Sequence, residues 1–216
     1  MTFERARNEE NKKIRLEQIK TAAIKLFDEM EYHEISLSKI AKEINFTRGN
    51  LYKYITSKED IYLYVMLDEM TDFIEELELN LVKEEKFNTK TLALKWATII
   101  SGHPRYLKLI SILFTMLEQN SNIDVLTDFK NQLLIITTRM FNVIKHNIPE
   151  FTDEDIKKLL DLSFSFVIGK YPLCNPTDIQ IEATKRSNYN YVFPDFVESY
   201  SEALVFIING IKLSKM

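Results

Sequence analysis

The chain has 216 residues, a formal net charge of −4, 45% hydrophobic and 28% charged residues, and so enough length for one large domain or two small ones. Its one cysteine, Cys174, excludes an internal disulfide. No signal-peptide core and no uncharged apolar run of about 18 residues is present, so a cytoplasmic protein without membrane contact is expected.

Residues 1–12 are polar and charged and are expected to form a partly ordered arm, with Arg5, Arg7, Lys12, Lys13 and Arg15 near it. Ile19, Ala22, Ala23, Leu26, Phe27 and Met30 then follow helical spacing and predict a first helix. Leu37, Ile40, Ala41 and Ile44 make a second apolar stripe, with Ser36 placed to cap it. Asn45 stands where a left-handed residue must end that helix. Phe46 fills the corner. Thr47 is a fresh N-cap, and Leu51 and Ile55 face inward on a third helix. Two short helices joined by a tight turn are a helix-turn-helix, which places its second helix in the DNA major groove.

Side chains left off the apolar stripes of this motif are candidates for contact with double-stranded DNA. Arg48 and Asn50 lie in the first turn of the second motif helix, where side chains reach base edges, and their shapes suit guanine and adenine. Thr47, Tyr52, Lys53, Tyr54 and Lys58 are candidate phosphate contacts. Ser36, Ser38 and Lys39 extend the same face. Gly49 costs roughly 1 kcal/mol in a helix interior, which makes sense where the backbone must approach DNA closely.

Ser57-Lys58-Glu59-Asp60 opens a fourth helix that runs to about Val82 as a rod between head and body. Further helices are predicted near 89–101, 105–120 and 123–147. Pro149 ends the last of these, and Thr152 caps a helix over 153–171. Pro172 and Pro176 are expected to break the chain, followed by a short helix and loop over 177–193 and a last helix over 195–213. Scarce breakers, 4 Gly and 5 Pro, support an all-α chain of about nine to ten helices. Residues 1–58 carry 12 basic and 9 acidic side chains, a local charge of +3; residues 59–216 carry 16 and 23, or −7. A basic head on an acidic body fits a local DNA footprint.

Residues 14–70 resemble the N-terminal domain of a tetracycline-repressor-type regulator. The landmarks are Ile19 to Met30, Ile40-Ala41, Thr47-x-Gly49-x-Leu51-Tyr52-x-Tyr54 and Ser57-Lys58-Glu59-Asp60. Asn45 and Ile55 depart from the usual Gly and Phe but meet the same physical demands. The end of the last helix, Phe206 to Ile211, is similar to the family's final helix. The resemblance implies a DNA-binding domain over 1–57 and a ligand-binding and dimerisation domain over 58–216. It implies a homodimer on a palindromic operator, with repression relieved by a small, mostly apolar effector.

Trp96, Phe114, Phe141 and Phe164 are the candidate pocket aromatics. Leu160, Phe164, Val167, Tyr171, Tyr200, Leu204, Val205 and Ile208 are the candidate dimer interface, in a bundle of two helices from each subunit. His33, His103 and His146 lack metal-ligand spacing, and no catalytic or phosphate-loop motif is present, so neither metal, cofactor nor enzyme activity is expected. The rival reading, an all-helical enzyme or lipid-binding protein with a vestigial head, requires a catalytic constellation. The residues name neither the operator, the effector nor the regulated genes.

Overall fold

A computed structural model of the chain describes residues 2–84 and 86–214, with residues 2–9 described by backbone alone. Among the described residues every regular element is helical. The order is α1 (Thr2–Glu29), a 3-10 turn (Tyr32–Glu34), α2 (Leu37–Glu43), α3 (Arg48–Leu51), α4 (Lys58–Leu81), α5 (Thr89–Ser101) and α6 (Pro104–Ile112). A π turn (Leu113–Leu117), α7 (Glu118–Asn120), α8 (Ile123–Asn147), α9 (Asp153–Cys174), α10 (Asp178–Arg186) and α11 (Phe196–Leu213) follow.

Three elements differ from expectation. The expected arm is helical from Thr2, because no Gly or Pro interrupts the run to Glu29; the side chains of Arg5 and Arg7 lie outside the described residues. Pro172 does not break α9. It sits in the last turn, and the helix runs on to Cys174 before Asn175 closes it by donating to the Tyr171 carbonyl. The expected helix over 105–120 is interrupted by the π turn at Leu113–Leu117.

The chain divides into two compact units, Met1–Asp68 with Leu113–Leu133, and Glu69–Ile112 with Leu134–Met216. The first unit is built around Ile19, Ala23, Ile40, Leu51 and Ile61, all fully or almost fully buried. Buried Tyr62 on α4 donates its hydroxyl to the Ala23 carbonyl at 2.9 Å, which ties α4 to α1. Its ring lies 5.2 Å from Phe27 and 5.4 Å from Tyr32.

Asp60 is the one carboxylate of this unit with no exposed surface among the described residues. It accepts from Thr56 N and Oγ1 and Ser57 N, at 3.0, 2.7 and 2.9 Å. Its other oxygen accepts from the Asn122 amide at 2.8 Å. One buried charge thus fixes both the corner before α4 and the corner before α8.

In the second unit α11 packs against α5 and α9, and α6 against α9. Phe73 of α4 stacks on Tyr106 of α6 at 5.4 Å, and both are fully buried. Each such ring contributes roughly 2–3 kcal/mol by burial. Arg139 of α8 clasps Glu78 of α4 with two hydrogen bonds of 3.0 and 2.6 Å. Thr152 and Asp155 form a reciprocal cap at the start of α9.

Candidate nucleic-acid interface and body cavity

The corner of the helix-turn-helix is assembled by short-range chemistry. Ser36 Oγ accepts from the Lys39 amide and caps α2. Asn45 takes φ 55°, the left-handed conformation that ends the helix, and no other non-glycine residue among those described has a positive φ. Thr47 then accepts from the Asn50 amide and caps α3. Helix α3 is a single turn, ending at Leu51, with further turn hydrogen bonds through Ile55. The aromatic and β-branched run Tyr52 to Thr56 favours helix weakly, which accounts for its shortness. Leu51 and Ile55 point into the core.

Ser36, Ser38, Lys39, Thr47, Arg48, Gly49, Asn50, Tyr52 and Lys53 are all exposed on this motif. Arg48 donates through Nε and Nη2 to the Tyr52 hydroxyl. Tyr54 is half-buried with its ring 6.4 Å from Phe46. The Arg15 guanidinium of α1 lies over the Phe46 ring, 5.4 Å from its centroid.

Lys58 is placed differently from the expected phosphate clamp. Its ammonium donates to the carbonyls of Tyr32 and Ile35 at 2.8 and 2.9 Å and lies 4.1 Å from the Tyr32 ring centroid. Burial pushes this amine below its ordinary range, with Glu59 opposing the shift. Lys58 therefore braces the 3-10 turn against α4.

A Cβ added at Gly49 would meet nothing within 4 Å. The fold itself does not need glycine there.

The second unit holds a partly open cavity of about 20 Å³. Leu92, Ala93 and Trp96 line it from α5, Val143, Ile144 and Asn147 from α8, and Ile148 from the turn beyond. Leu159, Leu160 and Ser163 of α9 and Leu204 and Ile208 of α11 close it. None of these side chains is charged. Asn147 is buried, and its Nδ2 donates to the carbonyls of Leu81 and Val143 at 3.1 and 2.9 Å. Its Oδ1 is buried without a hydrogen-bond partner. Ser163 adds a buried hydroxyl.

Of the four candidate pocket aromatics, Trp96 lines this cavity and three do not. Phe114 lies in the first unit and is 54% exposed. Phe141 and Phe164 are half-buried and are not among its lining residues. Periodicity could not have found the main lining, since Leu159, Leu160, Leu204 and Ile208 are ordinary core residues by type.

The candidate dimer residues also need correction. Leu160, Val167, Tyr171, Tyr200, Leu204 and Ile208 are buried within the single chain, where α9 packs on α11. A side chain already inside one subunit cannot form the surface of another contact. Phe164 and Val205 are half-buried. The apolar side chains that remain outside are Leu162 and Leu173 on α9, and Phe206 and Leu213 on α11. On these two helices Gly169 and Gly210 are exposed, with nothing within 4 Å of an added Cβ.

Residues 19–65 match the family described as bacterial regulatory proteins, tetR family. Residues 67–215 match the tetracyclin repressor-like C-terminal domain. The fatty acid metabolism regulator protein of Bacillus subtilis is 32% identical over 113 residues, 52% of this chain and 50% of that protein. An HTH-type transcriptional regulator of Staphylococcus aureus is 38% identical over 58 residues, 27% of this chain and 31% of its own length. The chain thus spans half or less of the length of these curated relatives.

Among solved structures, a TetR/AcrR-family regulator from Thermobifida fusca YX-ER1 superposes with a TM-score of 0.52 at 18% identity. The match covers 91% of this chain and 97% of that one. The fatty acid degradation regulator FadR of Bacillus halodurans gives 0.51 at 16% identity over 90% and 95%. At these identities the likeness concerns the fold. A helix-turn-helix built as above, followed by a helical body that matches the family over most of its length, places this chain in the tetracycline-repressor-type family of bacterial transcriptional regulators.

Proposed function

We propose that the protein is a ligand-responsive repressor that binds a palindromic operator as a homodimer and is released by a small, mostly apolar effector. Residues 1–57 serve as the DNA-binding domain and residues 58–216 as the ligand-binding and dimerisation domain. The observation that carries the effector reading is the cavity beside Trp96, lined by uncharged side chains that include Asn147, whose buried Oδ1 has no hydrogen-bond partner. A buried acceptor left open costs about 1–3 kcal/mol, which a ligand carrying a donor would recover. At about 20 Å³ the cavity has room for little more than a water molecule. An effector must part α5, α8, α9 and α11 to enter, and that movement gives it a differential affinity for two states. The name of the Bacillus subtilis relative adds acyl compounds to the chemical classes to screen.

In the head, Arg48 and Asn50 read bases, while Thr47, Lys53 and Tyr54 hold phosphates. Ser36, Ser38 and Lys39 border the contact. In the body, the outward faces of α9 and α11 pair with their twins. Leu162, Leu173, Phe206 and Leu213 supply apolar area there, and Gly169 and Gly210 allow close helix approach.

The test is a gel-shift titration of the full chain against DNA flanking its own gene, with and without screened uncharged ligands. Sequence-specific binding that a stabilising ligand relieves supports the reading. Ligands that raise the melting temperature without changing operator affinity would reduce the cavity to a core defect.

A further inference from the structure

Arg48 and Tyr52 stand one helical turn apart on the exposed side of α3. Arg48 Nε and Nη2 both donate to the Tyr52 hydroxyl, at 3.1 and 2.8 Å. The guanidinium carbon lies 5.4 Å from the centroid of the same ring. One oxygen therefore occupies the whole side edge of the guanidinium. A guanidinium has five N–H donors in a rigid plane. With the side edge engaged, an N–H on Nη1 and one on Nη2 remain parallel and point away along the end of the side chain.

That end-on edge matches two acceptors side by side. In the major groove, guanine presents such a pair in O6 and N7, whereas adenine and thymine each offer one acceptor beside a donor or a methyl group. We propose that Tyr52 is a positioning residue that fixes Arg48 for end-on readout of a guanine in each half-site. The inference rests on the reading of Arg48 as a base contact. Tyr52 acts through Arg48, not as a phosphate clamp, and so determines specificity. A free arginine on a one-turn helix samples many rotamers and must be immobilised on binding. Holding it beforehand is worth about two- to tenfold in affinity for the matching base. Gly49, between them in sequence, keeps this surface low enough for the guanidinium to reach the base edge.

The experiment selects a pool of randomised DNA duplexes with the full chain and with Arg48→Ala, Tyr52→Phe and the double variant. Tyr52→Phe keeps the ring beneath the guanidinium and removes only the acceptor. The unmodified chain enriches a symmetric guanine, and Arg48→Ala loses that preference. Tyr52→Phe keeps the same site but lowers the guanine preference two- to tenfold, with an unchanged salt slope. In the Arg48→Ala background, Tyr52→Phe changes nothing further.

The proposal is overturned if Tyr52→Phe leaves guanine preference intact. It is equally overturned if Tyr52→Phe weakens all sequences alike in both backgrounds with a shallower salt slope, the behaviour of a phosphate contact. Retention of the whole motif by Arg48→Ala removes the base-reading role of Arg48 itself. Failure of the unmodified chain to enrich any duplex removes sequence-specific binding, a separate result.

Discussion

The two compact units treat a buried polar group in opposite ways. In the first unit, Asp60 is wholly buried, and its two oxygens accept hydrogen bonds from Thr56, Ser57 and Asn122. In the second unit, Asn147 is buried beside a cavity with its oxygen unpaired. The surfaces differ as well. The head exposes polar groups around α3, while α9 and α11 expose Leu162 and Phe206. A saturated buried group holds one conformation, and an unsaturated one favours a state in which something else supplies the donor.

The sharpest test of the body surface is Phe206→Glu. Phe206 is 75% exposed, so the substitution removes little from the core of one subunit. We expect a folded monomer by sedimentation, with operator binding lost outright because two half-sites need two heads. Val167→Glu, at a fully buried position, should instead unfold the chain. If Phe206→Glu sediments as the unmodified dimer does, the interface lies elsewhere.

The second test concerns the first compact unit. Asp60→Asn replaces an acceptor by an amide whose NH2 meets the donors of Thr56 and Ser57. It should cost about 2–4 kcal/mol in urea unfolding. Burial raises the Asp60 pKa, but the hydrogen bonds from Thr56, Asn122 and Ser57 outweigh it, so the carboxyl titrates below its usual value. Its contribution is therefore complete above about pH 4, the unfolded carboxylate range, and is lost as pH falls through the depressed folded value. The stability gap between the unmodified chain and the variant should be constant from pH 5 to 7 and shrink only below about pH 4. A gap that closed near neutrality would assign the effect to another group.

These two regions were unequally legible in the sequence. The helix-turn-helix is specified by neighbours: Ser36, Asn45 and Thr47 each act on backbone within three or four residues, so spacing alone reveals them. Helices α5 and α8 are bounded by Asn88, Gly102, Pro104 and Pro149, equally local signals. The cavity and the proposed dimer faces depend on which of two apolar sides of α9 and α11 turns inward, and periodicity is silent on that choice. Val167 and Leu162 are both apolar residues on one helix; packing against α11 buried the first and left the second half exposed. The setting of Lys58 is equally non-local. Its amine is claimed by two carbonyls more than twenty residues away.

Asn147→Leu tests the body's open acceptor. The substitution removes the orphaned oxygen, loses the hydrogen bonds to the Leu81 and Val143 carbonyls, and adds apolar surface to the cavity. These changes nearly cancel, and stability should stay within about 1 kcal/mol of the unmodified chain. A medium-chain alcohol, whose hydroxyl can donate to Oδ1, should raise the melting temperature and change Trp96 fluorescence in the unmodified chain but not in the variant. An equal response in both proteins would show that the cavity selects on apolar shape alone.

The smallest expected effect on stability has the most direct reading. Gly49 lies in the first turn of α3 with open space where a Cβ would go, and its φ is not positive. Alanine fits this backbone without strain and restricts the unfolded chain, so Gly49→Ala should stabilise the free protein by about 0.5 kcal/mol. The same methyl group would stand on the surface that faces the groove, where it holds the backbone away from DNA. Operator affinity should therefore fall as the melting temperature rises. Stability and function move together when a substitution damages packing, and apart when the residue serves a partner that is not in the fold. If Gly49→Ala leaves DNA affinity unchanged, α3 does not approach DNA at this point, and the face bearing Arg48 and Asn50 must be turned elsewhere.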